Sequence, residues 1–301
     1  MKLKLTIDIF SGRPNPYQII EGNEAKKMLN KIKINAALRT NSRQVEPENL
    51  GYRGIIVENL DGSRSDFPEY FRITPNRMFA GEQNADANSE QFESGILDAL
   101  SKFKGTGNKK EFRKLLVAEM ENLRVSDGIL GGLVIPPVVF PKPNPCQCAP
   151  DPDLAWWNDG GARQFNNNCY NYATNYRTDT FAQPGKAAGQ QYTSLSGCAV
   201  AAGQRSALDG AIADALINTP LANNKCPQKG HLVALVIAPG FDFHWYRKGN
   251  NGRWSHKPGS TAARLTDNAG NIITDPRTAN RGMYTQFCTF MQVIHGHIKI
   301  K

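Results

Sequence analysis

The chain has 301 residues, 40% of them hydrophobic, which fits one large domain or two ordinary ones, each with a real core. Its net charge of +9 is spread thinly, with 20 Lys and Arg against 17 Asp and Glu over residues 1–125 and 16 against 10 over 126–301. No run approaches the roughly 18–20 apolar residues of a membrane span, and no dense basic block, glycine-rich phosphate loop or zinc finger marks a nucleic-acid binder.

From the start, Leu3, Leu5, Ile7 and Ile9 alternate with polar residues, which predicts a strand rather than the unbroken apolar core of a signal peptide. The expectation is a cytoplasmic protein with reduced thiols as the default, leaderless export being the other route, and the even cysteine count leaves disulfides open. Ser11-Gly12-Arg13-Pro14-Asn15-Pro16 ends the strand with turn residues. A helix is predicted from near Glu24, strands over 52–58 and 70–73, and a helix carrying Phe92, Ile96, Leu97, Leu100 and Phe103 with Ser89 as its N-cap. Phe112, Leu115, Leu116, Met120 and Leu123 predict another helix. All of these stripes read as core.

All six cysteines and all five histidines lie after residue 145, and every glutamate lies between Glu21 and Glu121. That break predicts two domains, with the chemistry in the second. Residues 1–125 form a mixed α/β-sandwich-like domain, read as a targeting, inhibitory or assembly domain. Residues 126–152 carry seven prolines and form a linker or packing arm. Residues 153–301 form a helix-plus-antiparallel-sheet domain, making the whole α+β. In that second domain Asn167 or Asn168 caps a short helix with Cys169, Tyr172 and Ala173, and residues 207–216 form a further helix. His231 to Ala238 is an apolar strand. Pro239-Gly240 turns into 243–247, and Asn250-Asn251-Gly252 turns into 253–257 as a hairpin.

A nucleophilic cysteine works as its thiolate, and a helix N-terminus and a nearby imidazole both favour that form. Cys169 opens the short helix, so it is the candidate nucleophile, against the plainer reading of a small buried hydrophobe. Gln164, Asn168 and Gln183 are candidate oxyanion donors. The base comes from His244, His231 or His256. Pairing Arg247 with Trp254 puts His244 and His256 on opposite faces, and the aromatic neighbours favour His244. Asp275 is the candidate for orienting the imidazole, while Asp242 and Asp267 sit where turns need an Asp.

Cys169 opening a helix, His231 or His244 on a following strand, and a later polar residue together resemble the papain-like cysteine hydrolases in the broad sense, including cell-wall amidases of the NlpC/P60 type. The resemblance covers residues 160–280. It implies a peptidase or amidase in which Cys169 attacks an amide carbonyl and water releases a thioester, without cofactor or metal, on peptide or peptidoglycan-like substrates. Two rivals stand beside it. Trp156, Trp157, Trp245 and Trp254, with many Tyr and Asn, suit a non-catalytic carbohydrate- or peptide-binding protein. His295-Gly-His297 with Cys288 is a weak metal signal. The sequence leaves the oligomeric state open.

Overall fold

A computed structural model describes residues 1–34, 49–63, 66–81, 83–130 and 146–301, with 126–130 described by their backbone. Most of the proline-rich arm, residues 131–145, lies outside the described residues. Two compact units are present. Among the described residues the first comprises 1–9, 15–34, 52–63, 66–81 and 83–130, and the second comprises 10–14, 49–51 and 146–301. Helices combine with two antiparallel sheets, so the architecture is α+β.

The first unit contains strands β1 (Lys2–Ile7) and β2 (Tyr17–Glu21), helix α1 (Gly22–Leu29), and strands β3 (Lys33–Ile34), β4 (Ile55–Asn59), β5 (Tyr70–Ile73), β6 (Arg77–Ala80) and β7 (Gln83–Asn88). Helices α2 (Glu90–Asp98) and α3 (Lys109–Leu130) follow. The sheet order is β2-β1-β4-β5-β6-β7-β3. Leu3, Leu5 and Ile7 of β1 are buried, as the alternation requires. Phe112, Leu116, Met120 and Leu123 form the buried stripe of α3, which runs to Leu130, into the stretch expected to be linker. Ser89 stands at the N-cap of α2, yet its hydroxyl donates to the Thr74 and Pro75 carbonyls instead of capping the helix. In the core, Asp8 lies 2.6 Å from both Arg53 and Arg72. Burial works against its charge, but the two guanidiniums outweigh it and hold the carboxyl well below the usual range.

The second unit contains the short helices α4 (Leu154–Trp157), α5 (Ala162–Phe165), α6 (Cys169–Thr174) and α7 (Ala207–Ala213). Its strands are β8 (Ile217–Asn218), β9 (His231–Ala238), β10 (Asp242–Lys248), β11 (Trp254–His256) and β12 (Gln286–Val293), in the order β11-β10-β9-β12-β8. Every residue of β9 and β10 is buried, so both sheet faces are covered. On one face Val233, Leu235, Ile237, Phe243 and Trp245 pack with Cys169, Tyr170 and Ala173 of α6. Burying a Leu or Val side chain contributes about 1.5–3 kcal/mol, so this layer anchors a helix too short to stand alone. Gly230 enters β9 at φ +65, and a Cβ there would collide with the Val293 carbonyl. Only glycine fits that approach.

Candidate functional site

The asparagine run has a structural use at each position. Asn166 closes α5. Asn167 donates to the Arg163 carbonyl and Asp179, and accepts from the Thr178 and Asp179 amides. Asn168 is the N-cap of α6, accepting from the Tyr170 and Asn171 amides at 3.0 and 3.1 Å, while the Asn171 side chain accepts back from the Asn168 amide. This is a capping box built from two asparagines. At the other end Arg247 donates to the Tyr172 carbonyl and to Asn175, a cation at the helix C-terminus.

Cys169 opens α6, as the sequence predicts, but its thiol is fully buried. The sulfur lies 3.9 Å from the Phe243 carbonyl, inside the apolar layer. Burial pushes the thiol well above its usual pKa, and the charge of Asp242 adds to this. Desolvation therefore outweighs the pull of the helix N-terminus.

Asn168 and Gln183 do converge. Asn168 Nδ2 and Gln183 Nε2 each donate to one acceptor, the Gly12 carbonyl oxygen, both at 2.8 Å. Gly12 belongs to this unit through residues 10–14. Asp242 holds the same short segment, accepting from the Ser11, Gly12 and Arg13 amides at 2.6, 3.1 and 3.0 Å and from the Tyr284 hydroxyl at 2.6 Å. Burial raises the Asp242 pKa despite these bonds. The sequence reading placed Asp242 in a turn. It is the first residue of β10 and a clamp. A buried carboxylate facing three successive amides has no one-dimensional signature.

The histidines depart from the predicted arrangement. Tyr246 pairs with His256 and Arg247 with Ser255, one residue away from the predicted register. A one-residue slip flips every side chain, so His244 and His256 share a face, with His244 Nε2 2.9 Å from His256 Nδ1. Strand alternation puts that face opposite Phe243 and Trp245, the face on which α6 and Cys169 pack. The sheet thus lies between Cys169 and His244. His231 is on the face of α6, but its Nε2 bonds the Ala173 carbonyl at 2.7 Å, and burial lowers its pKa to about 4. Burial, with Arg264 beside it, holds His256 well below the ordinary value. Asp275 does not meet an imidazole. It bonds Arg277 and Asn224, and although burial opposes ionisation, the Arg277 bonds bring its pKa below the usual value.

Trp245 and Trp254 are fully buried and offer no binding platform; Trp254 donates to Asn224 at 2.8 Å and leans on Phe290. Of the four tryptophans Trp156 alone is exposed, with Arg163 over its ring at 4.4 Å. Among the described residues no group of three His, Cys, Asp or Glu could hold a metal. Cys288 is bonded to Cys198, and His295 stacks on Tyr176. A second disulfide joins Cys146 to Cys226. Their Cα atoms sit 5.6 Å apart, and those of Cys198 and Cys288 5.2 Å, both ordinary for a bridge. These bridges replace the default of reduced thiols with the disulfides that the even cysteine count left open. Cys148 is free and exposed, Cys169 free and buried. Among the described residues no helix is long and apolar enough to cross a membrane.

Fold and site together define a disulfide-bonded α+β unit whose sequence-predicted site residues are largely core. No family model matches the chain, and no solved structure matches it significantly. It is similar to insoluble matrix shell protein 1 of Ruditapes philippinarum, 48% identical over 131 residues, which are 43% of this chain and 81% of that protein. The chain belongs to the family of that protein.

Proposed function

We propose that the chain is a non-catalytic, disulfide-bonded structural module of an extracellular matrix. The observation that carries this reading is the burial of Cys169 in an apolar layer on the opposite sheet face from His244, which leaves no thiol–imidazole pair among the described residues. The name of the relative, an insoluble matrix shell protein, supports the matrix role. Two disulfides favour an oxidising compartment over the cytoplasm. On this reading residues 1–125 act as an assembly domain. The test is fractionation of the cells that make the protein. Recovery outside the cell, in material released only by denaturant with reductant, is the expected outcome. Recovery as soluble cytoplasmic protein with all six thiols reduced contradicts it.

A second reading, a papain-like cysteine peptidase or amidase of the NlpC/P60 type, is favoured by one observation. Two side-chain amides converge on a single carbonyl oxygen next to the helix that Cys169 opens. That is the arrangement an oxyanion requires. In this reading residues 11–13 must leave before a peptide or peptidoglycan amide can enter. Turnover of a peptidoglycan digest that disappears in Cys169→Ser would favour it over the matrix role.

A further inference from the structure

Residues 257–285 contain no helix or strand, only the isolated bridges His256↔Arg264 and Thr266↔Ile272. This long coil is fastened to the sheet at the histidine pair and by backbone bonds between His256 and Arg264 and from the Trp254 amide to the Ile273 carbonyl. His256 Nδ1 meets His244, while its Nε2 lies 2.9 Å from the Thr266 carbonyl and 3.1 Å from Arg264 Nε. Tyr246 stacks on the His256 ring, and Tyr284 lies 5.5 Å from His244 and donates to Asp242.

The chemistry at His256 Nε2 is exclusive. A bare nitrogen accepts from Arg264, and a protonated one donates to Thr266. In the imidazolium form both ring nitrogens carry protons. Thr266 and His244 can then accept them, while the Arg264 N–H faces another N–H with two positive charges about 3 Å apart in a buried site.

The charged and titratable groups facing the pair can be named among the described residues. From the sheet they are Tyr246 and, through Tyr284, Asp242. From the coil they are Arg264, Asp267, Arg281 and Tyr284. Asp242 already accepts from residues 11–13, and Asp267 from the Ala269, Asn271 and Asn280 amides. Among the described residues no carboxylate is bonded to His256. The Tyr246 hydroxyl, buried under the same coil without a hydrogen-bond partner, further weakens the closed state.

We infer that His256 is an acid-sensitive latch, whose protonation breaks the Arg264 contact and releases the 257–285 strap from the sheet. The released sheet face would expose His244 and Tyr246. If one proton drives release, the opening equilibrium rises about fivefold over the first pH unit below the ordinary histidine pKa of roughly 6.5 and approaches about tenfold per unit below that.

The experiment is hydrogen exchange of the full chain at pH 7.5, 6.5 and 5.5, corrected for intrinsic exchange rates, beside His256→Gln. Gln can serve Thr266 and Arg264 at once without taking a proton. The expected result is loss of protection in peptides over 257–285 by about fivefold from pH 6.5 to 5.5 in the native chain, and no such step in the variant. The same step in His256→Gln, or a strap protected until the whole unit unfolds, overturns the proposal. Should His256→Gln not fold, imidazole NMR of the unaltered chain decides. His256 must titrate together with strap release, and titration without loss of protection refutes the latch.

Discussion

His244 and His256 bond ring to ring at 2.9 Å, on the sheet face turned away from Cys169. Both are fully buried on neighbouring strands. The imidazole that a thiol hydrolase would need beside its sulfur is instead paired with a second imidazole across the sheet. Cys169 is left as a core residue beneath the opposite face.

The cap of α6 is a local test of why the asparagine run exists. Asn168→Ala removes two accepted bonds at the helix start and two donated bonds, to the Gly12 and Ala182 carbonyls. A lost cap costs about 1 kcal/mol and each buried group left unsatisfied about 1–3 kcal/mol. Urea unfolding is expected to show a loss of about 2–4 kcal/mol. Asn168→Asp keeps the acceptors and should recover part of it.

Gly12 is held where a side chain has no room, because a Cβ would overlap the Phe243 ring. Gly12→Ala should therefore destabilise the chain by about 1–3 kcal/mol, the usual cost of overpacking. Gly62, with open space around its Cβ position, is an unsuitable control because its φ is positive. Substitution of exposed Lys186 by Ala serves as the neutral reference. Equal stability of Gly12→Ala and that reference would contradict the packing of residues 10–14 against β10.

Acid stability follows from His231. Its folded pKa, about 4, lies below the ordinary value of roughly 6.5. The unfolded chain therefore binds more protons between those values. The stability contributed by keeping this ring neutral is complete above pH 6.5 and is lost as pH falls to 4, by about 3 kcal/mol. Denaturant midpoints measured across that window should fall with pH, and His231→Gln should flatten the slope. An unchanged slope would contradict the burial of this ring.

The two disulfides close interlocked loops, with 80 and 90 residues separating their partners. Chain-entropy arguments give about 4–5 kcal/mol for loops of this length, within a measured range of roughly 2–5. Thermal unfolding should shift to markedly lower temperature in a strong reductant. It should fall by a smaller amount in a Cys146→Ala, Cys226→Ala double variant. A midpoint indifferent to reductant would mean that the bridges are not formed.

Where periodicity decided, the fold was readable. The apolar run His231–Ala238 became β9 without adjustment, and of the two cap candidates before Cys169, Asn167 and Asn168, the structure uses Asn168. Strand β7, Gln-Asn-Ala-Asp-Ala-Asn, carries almost no strand propensity and exists through its pairing with β6, so it escaped the reading. The histidine geometry hinged on register. Asn250-Asn251-Gly252 signals a hairpin, but the pairing begins at Lys248 and Trp254, and that single step moves His256 to the face of His244. The clamp of Asp242 on residues 11–13 and the disulfide pairings bring together residues far apart in the chain, which local pattern cannot reveal. The burial of Cys169 was foreseen as the plainer alternative. Burial depends on what covers α6, and helix-start chemistry does not report that.

Native iodoacetamide labelling across pH, read by peptide mapping, tests the central claim most directly. Exposed Cys148 should label in the native chain. Cys169 should stay unmodified until denaturant is added, and Cys146, Cys226, Cys198 and Cys288 until reductant is added. Fast labelling of Cys169 below neutral pH, slowed in His244→Ala, would mean an activated thiolate and would contradict a sealed, non-catalytic core.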